Sequence, residues 1–218
     1  MNVKTFVLFT AFNAFGAVAQ AQTCDVLCDE NFLQMASDAE IAAEILKADV
    51  NARNDYGGTA LMLAVPYRSA PTMKLLLDAG AVVNARSEGG YTALMLAASL
   101  EKADPAMVKL LLDAGAEVNA RNEYGGTALM VAAYVSTEIV KLLLDAGAEI
   151  NATAQDGTTA LILAVRSGSA DTVKVLLDAG ADASSRDVDG KTAWDLAQEI
   201  DQIKGTDAYW MLNDAQWK

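Results

Sequence analysis

Histidine is absent from this chain of 218 residues, and basic residues are scarce, with 16 lysines and arginines against 29 acidic residues. Without histidine, a histidine-based catalytic triad and the common zinc-hydrolase ligand sets are excluded. The formal net charge of −13 at pH 7 disfavours binding to nucleic acid or to an anionic membrane surface. The charge is compatible with protein partners that are basic or neutral. Alternatively, it serves only to keep the protein soluble.

Acidic pairs are the remaining candidates for acid–base catalysis, for example Asp187 with Asp189 or Asp55 with Glu88. Carboxylates at the tips of turns are usually solvated and ionised, which makes them poor proton donors at neutral pH. The chain has no calcium loop of the EF-hand pattern, and Asp187-Val188-Asp189-Gly190 is better explained as a tight turn. We therefore predict that the protein is not an enzyme and has neither a cofactor nor a metal site.

Cysteine is also scarce, since Cys24 and Cys28 are the only two. An oxidising compartment would favour a disulfide between them. At this spacing on a regular helix the Cβ atoms are about 5–6 Å apart, whereas a disulfide needs about 3.5–4.5 Å, so the pair requires a turn or a distorted helix start. The chain lacks a C-x-x-C motif and the further histidine or cysteine ligands of a zinc site, and we predict a disulfide that staples the N-terminal end.

The first residues contain the main long apolar run. Met1–Lys4 is a short positive start, Thr5–Ala19 is apolar, and Ala19-Gln20-Ala21 fits a signal-peptidase site. A membrane anchor is the alternative, but a spanning helix needs about 20 apolar residues and this run has about 15. We expect residues 1–21 to be a signal peptide cleaved after Ala21. The product would be exported to a periplasm or to the cell exterior, with no membrane insertion after removal of the signal.

One short phrase recurs along the rest of the chain at intervals of 33, 35, 32 and 33 residues. A period near 33 indicates stacked supersecondary units, with the two unequal intervals marking a small insertion and a deletion in loops. The copies are Asn51-Ala52-Arg53, Asn84-Ala85-Arg86, Asn119-Ala120-Arg121, Asn151-Ala152-Thr153 and the degenerate Ser184-Ser185-Arg186.

Each copy of the phrase is followed by a turn and two apolar runs, which predict two short helices. The first runs begin at a threonine, which suits a helix start, and are Thr59–Ala64, Thr92–Ala97, Thr127–Ala132, Thr159–Ala164 and Thr192–Ala197. The second runs end at a glycine, which suits a helix end, and are Met73–Ala79, Val108–Ala114, Val140–Ala146 and Val173–Ala179. Helices this short need neighbouring units to cover their leucines.

From about Asp38 onward these residues resemble the ankyrin repeat, through Gly-x-Thr-Ala-Leu-Met-Leu-Ala followed by Leu-Leu-Leu-Asp-Ala-Gly-Ala-x-Val-Asn-Ala. The resemblance implies an all-α solenoid of helix pairs with short β-hairpin or turn fingers, capped at both ends, in an exported bacterial type of protein. Alanine replaces the family's usual proline at Ala60, Ala93, Ala128, Ala160 and Ala193, and its usual histidine is replaced by Met62, Met95, Met130, Ile162 and Asp195.

The predicted organisation places N-terminal capping helices with the cysteine pair at 22–50, ankyrin repeats at 51–183 and a degenerate C-terminal capping repeat at 184–218. Aromatic and apolar residues at the end of the chain suggest a lid on the last repeat, although an aromatic ligand pocket is an alternative. These residues are Trp194, Tyr209, Trp210, Met211, Leu212 and Trp217.

The resemblance also implies that partners bind to the fingers and to the inner face of the first helices. The mapped candidates are Tyr56, Tyr91 and Tyr124 on the tips, Tyr67 and Tyr134 just past first helices, and the tip acids Asp55, Glu88 and Glu123. Tyrosine offers a large rigid contact surface, although each ring could instead pack on its own finger. We predict a monomeric protein-binding module, or alternatively an inhibitor or immunity-type protein that sequesters a basic secreted enzyme.

Charged residues recur in register with the repeats. The arginines Arg53, Arg86, Arg121 and Arg186 precede the tips, and we expect them to pair with the tip acids Asp55, Glu88, Glu123 and Asp189. Lysines and aspartates four residues apart on the second helices indicate a solvated outer face. Asn151-Ala152-Thr153 matches a glycosylation sequon, but sister repeats keep the asparagine without the threonine.

Overall fold

The computed structural model describes residues 26–67 and 69–215, which form twelve α-helices and no β-strand. The helices are α1 Glu30–Met35, α2 Asp38–Ile45, α3 Ala60–Ala64, α4 Ala70–Asp78, α5 Ala93–Ser99, α6 Pro105–Asp113, α7 Ala128–Val135, α8 Thr137–Asp145, α9 Ala160–Ser167, α10 Ala170–Asp178, α11 Ala193–Ala197 and α12 Asp207–Ala215. The described residues divide into two compact units, the first ending at Glu117 and the second beginning at Val118. The all-α prediction is confirmed.

The first unit contains α1 to α6, arranged as helix pairs. Helices α3 and α4 form one pair and α5 and α6 the next, with α1 against α3 and α2 against α4. Every residue of α3 and α5 is buried, because these short apolar helices have neighbours on several sides. By contrast, α4 and α6 bury one face each, which includes Leu76 and Leu111.

The second unit repeats this arrangement with α7 paired to α8 and α9 paired to α10. Helix α11 packs on α9, and α12 packs on both α10 and α11. Leu129, Leu143, Leu161 and Leu176 lie in its core and are almost completely buried. In the described part of the chain, no helix has both the length and the apolar character needed to cross a membrane.

The threonines predicted to start the first helices act as N-caps at four of the five positions. The hydroxyls of Thr92, Thr127 and Thr159 each accept a hydrogen bond from the backbone N–H three residues on. Thr192 does the same within a full capping box. Thr59 is the exception, because its buried hydroxyl has no hydrogen-bond partner in the described residues.

Asparagine in the recurring phrase connects one repeat to the next. The Nδ2 atom of Asn84 donates to the carbonyl oxygen of Gly115 at 3.0 Å, and its Oδ1 atom accepts from the N–H of Glu117 at 2.8 Å. The equivalent pairs are Asn51 with Gly80 and Val82, Asn119 with Gly147 and Glu149, and Asn151 with Gly180 and Asp182. The asparagine of the sequon is therefore explained by packing between repeats.

At the N-terminal end, a 3-10 turn covers Val26–Cys28 and buries Leu27. The Sγ atom of Cys28 lies 3.4 Å from the carbonyl oxygen of Ala52, so this cysteine borders the first repeat. The predicted signal peptide and Cys24 lie outside the described residues, and the disulfide with Cys28 stays a prediction.

Candidate functional site

The turn before each first helix forms a finger that is closed by the side chain of its opening residue. In the first finger, Asn54 Oδ1 accepts from the N–H of Tyr56 at 3.1 Å and from that of Gly58 at 2.8 Å. Asn122 makes the equivalent bonds to Tyr124 and Gly126 at 3.0 and 2.8 Å. Side chains at these tips therefore project from ordered turns.

Neighbouring fingers of the same unit are also bonded to each other through the backbone. The N–H of Glu88 donates to the carbonyl oxygen of Tyr56 at 2.9 Å. In the second unit, the N–H of Gln155 donates to the carbonyl oxygen of Tyr124 at 3.0 Å, and Gln155 Nε2 donates to the carbonyl oxygen of Glu123 at 2.6 Å. The Tyr56 and Tyr124 tips are thus fixed both within their own fingers and to the next finger of the same unit.

The predicted pairing with tip acids is wrong for Arg53 and Arg186, and Arg121 Nη2 lies 3.5 Å from the Glu149 carboxylate instead. Arg53 Nη1 donates to the carbonyl oxygens of Gly57 at 3.1 Å and of Arg86 at 2.6 Å. Arg121 Nη1 donates to the carbonyl oxygen of Thr153 at 2.8 Å. A guanidinium has five N–H donors, and here the finger backbone supplies acceptors within reach.

The arginine of the last finger also donates to backbone: Arg186 Nη1 donates to the carbonyl oxygen of Gly190 at 2.6 Å. The same atom is 3.9 Å from an Asp195 oxygen. The tip acids Asp55, Glu88 and Glu123 are exposed and form no ion pair with any residue in 26–67 or 69–215. Their carboxylates are consequently available to a partner.

Three predicted tip tyrosines have different environments. Tyr124 is 57% exposed, and Tyr56 at the equivalent position is half-buried. Tyr91 is only 9% exposed, because it follows the glycine of its finger whereas the other two precede theirs. A Cβ atom added to Gly89 would lie 2.9 Å from Tyr91 Cε2, which shows that this ring covers its own finger.

The two tyrosines predicted just past first helices are both half-buried. Tyr67 follows α3, and its hydroxyl donates a hydrogen bond to the Glu30 carboxylate of α1. Burial raises the pKa of both groups, and the carboxylate's charge adds to the increase for Tyr67. Tyr134 lies within the last turn of α7 rather than past it, and burial raises its pKa as well.

Asp187 was expected to be solvated, but it is buried and ion-paired. Its Oδ1 atom closes the last finger by accepting from the N–H groups of Asp189 and Lys191 at 3.0 and 2.9 Å. Its Oδ2 atom is 2.6 Å from Arg166 Nη2 of α9, and no part of its side chain is exposed. The tight turn is confirmed, while the predicted solvation of this acid is wrong because Arg166 reaches across from the preceding repeat.

The aromatic residues of the C-terminal end contribute to packing in part. The rings of Trp194 and Tyr209 have centroids 4.7 Å apart, and α12 buries Ala208 and Leu212. Trp210 is 57% exposed and covers little of the last repeat, and Trp217 lies outside the described residues. Among the described residues, no group of three or more potential ligand side chains is placed to hold a metal ion.

Stacked helix pairs whose fingers project ordered side chains define a repeat scaffold of the protein-binding class. A family model described as ankyrin repeats in three copies matches residues 32–122 and 94–187, and the chain belongs to this family. No curated protein matches the chain. The predicted resemblance is confirmed, and ankyrin repeats indicate a scaffold for protein–protein interaction, a class that is typically not enzymatic.

Proposed function

We propose that this protein is an exported scaffold whose fingers bind a basic protein partner. The observation that carries the proposal is the Tyr124 tip, where a ring that is 57% exposed projects from an ordered turn beside the exposed carboxylate of Glu123. Exposed tyrosine is a common interface anchor because the ring is large, rigid and polar at one end. A carboxylate next to it favours a partner that carries arginine or lysine.

The acidic character extends to the other fingers. Asp55 and Glu88 are exposed in the first unit, as are Glu123 and Asp156 in the second. The finger arginines direct Nη1 to backbone carbonyls, and Arg121 directs Nη2 to Glu149, rather than to the tip carboxylates. Together with the net charge of −13, this arrangement would steer a basic partner toward the fingers.

The candidate residues have different roles in this proposal. Tyr124 beside Glu123 is the main contact in the second unit, and Tyr56 beside Asp55 offers a smaller exposed area in the first unit. Tyr91 supports its finger from inside, since its ring lies over Gly89. Tyr67 and Tyr134 are half-buried at the ends of first helices and offer only part of their rings to a partner.

A crosslinking pull-down from the native compartment, followed by titration calorimetry with the captured partner, tests the interface. Truncation of a hot-spot residue costs about 2 kcal/mol or more, so Tyr124→Ala should weaken binding roughly thirtyfold. Lys141→Ala, at an exposed position of α8 in the same unit, is the control and should change the affinity little. A Tyr124→Ala variant that folds normally and binds unchanged would contradict the proposed surface.

Export and the disulfide have a separate test. Protein recovered from the periplasmic or extracellular fraction should begin at Gln22, and its intact mass should be 2 Da below that of the reduced form, as one disulfide requires. Retention of Met1 would contradict export, and two free thiols would contradict the predicted disulfide. The inhibitor alternative predicts that the captured partner is an enzyme whose activity falls in proportion to the added scaffold.

A further inference from the structure

The last helix, α12, carries an exposed tryptophan between two carboxylates. Trp210 lies three residues after Asp207 and four residues before Asp214, and residues at these spacings lie on the same side of a helix. Trp210 is 57% exposed, and both aspartates are exposed. We call these three residues the Trp210 face.

Packing of the second unit does not require this face. The opposite side of α12 buries Ala208 and Leu212 against α10 and α11. The Trp210 ring contacts Tyr209 through an edge-to-face arrangement, with centroids 5.1 Å apart and an interplanar angle of 86°. This contact orients the tryptophan while more than half of its surface stays open to solvent.

No cation in the described part of the chain neutralises the two aspartates. Lys204, three residues before Asp207, is bonded to Asp201 at 2.9 Å. Asp207 and Asp214 form no ion pair with any residue in 26–67 or 69–215, and the contact of Asp214 with the Asn213 amide is 3.5 Å long. The face thus combines an aromatic surface with two carboxylates that no described residue pairs with.

We infer that the Trp210 face binds an arginine or lysine side chain of a protein partner. Tryptophan is the best aromatic ring for cation–π contact, and a carboxylate on either side of it along the helix supplies charge-assisted hydrogen-bond acceptors. The charge complementarity selects a basic segment over an apolar one and over a second copy of this acidic chain. This contact is distinct from the fingers and does not depend on the finger proposal.

The test is an NMR titration of the ¹⁵N-labelled full-length chain with the peptide acetyl-Gly-Arg-Gly-Arg-Gly-amide. The indole N–H signal of Trp210 is assigned by its loss in Trp210→Phe. The signal should shift in a saturable way, and the analogue with glutamine in place of arginine should have no effect. The shift should disappear in 0.5 M NaCl, where the screening length falls to a few ångströms.

Two variants separate the contribution of the ring from that of the charges. Asp207→Asn with Asp214→Asn keeps both exposed sites close to their original size and should weaken peptide binding about fivefold or more. Trp210→Ala should weaken it about two- to fivefold, as judged from the shift of the Asp214 backbone N–H. Tyr124→Ala is the matched finger variant and should leave this binding unchanged.

An unmoved Trp210 signal, an equal shift with the glutamine peptide, or full binding by the double asparagine variant would each overturn the inference. Loss of binding in Tyr124→Ala instead would assign the cation site to the fingers. The finger proposal is tested with the captured partner, so the two can fail independently.

Discussion

Alanine at Gly157 should destabilise the protein more than alanine at Gly190, although the two glycines have the same role in their fingers. Their φ angles are +74° and +72°, so the backbone penalty for an L-residue is the same at both positions, about 1–2 kcal/mol. The surroundings differ. A Cβ atom on Gly157 would lie 2.5 Å from the carbonyl oxygen of Arg186, whereas one on Gly190 would have nothing within 4 Å.

The close contact at Gly157 is with backbone, so no side-chain rotation relieves it. Overpacking of this kind costs about 1–3 kcal/mol. Gly157→Ala should therefore lose about 2–5 kcal/mol of unfolding free energy, against about 1–2 kcal/mol for Gly190→Ala. The difference of about 1–3 kcal/mol measures how rigidly the last finger is fixed against the one before it.

Urea unfolding followed by circular dichroism gives both free energies under one set of conditions, and equal m-values would show that the same surface is exposed in each case. Amide hydrogen exchange of the Gln155 N–H, which is bonded to Tyr124, should accelerate in Gly157→Ala more than in Gly190→Ala. Equal losses in the two variants would refute the reasoning, because they would mean that the last finger moves aside freely.

Three further predictions concern single interactions. Hydrogen bonding from the Thr192 N–H lowers the pKa of Asp195. The ionised carboxylate therefore stabilises the fold above about pH 4, and this stabilisation is lost as the pH falls through the folded-state pKa. Asp195→Asn should reduce the dependence of urea unfolding on acid pH. Burial raises the pKa of Glu30, so the folded state favours the protonated carboxyl and loses stability as the pH rises above 4.5. Glu30→Gln should therefore reduce the fall in Tm between pH 4 and pH 7. Asn84→Ala removes two hydrogen bonds between repeats, which should cost about 1–3 kcal/mol and speed hydrogen exchange at Glu117, and normal protection there would contradict this.

Much of the fold could be predicted from the sequence because its determinants are local. A threonine, a short apolar run and a terminating glycine recur at intervals of 32 to 35 residues, and the observed first helices begin directly after the predicted threonines. Helix α3, for example, covers Ala60–Ala64 after Thr59, as the pattern predicts. Local signals of this type leave little freedom in where a helix starts.

The candidate site was predicted less well, because its side-chain partners lie in other repeats. Arg166 and Asp187 are 21 residues apart and meet only once the fingers are in register. The burial of Tyr91 could have been predicted from the sequence, because this residue follows the finger glycine instead of preceding it. Aligned on Gly57 and Gly90, it corresponds to Gly58 and not to Tyr56.

The last finger shows how a single change of residue type creates a dependence on a distant one. Asn54 and Asn122 close their fingers with Oδ1 and carry a neutral amide on the other side, whereas Asp187 closes the same turn with Oδ1 and leaves a second carboxylate oxygen inside the protein. An unpaired buried charge costs several kcal/mol, and Arg166 supplies its partner from α9. The aspartate is therefore accommodated here because the preceding repeat offers a cation, so the final finger depends on Arg166 as well as on its own turn.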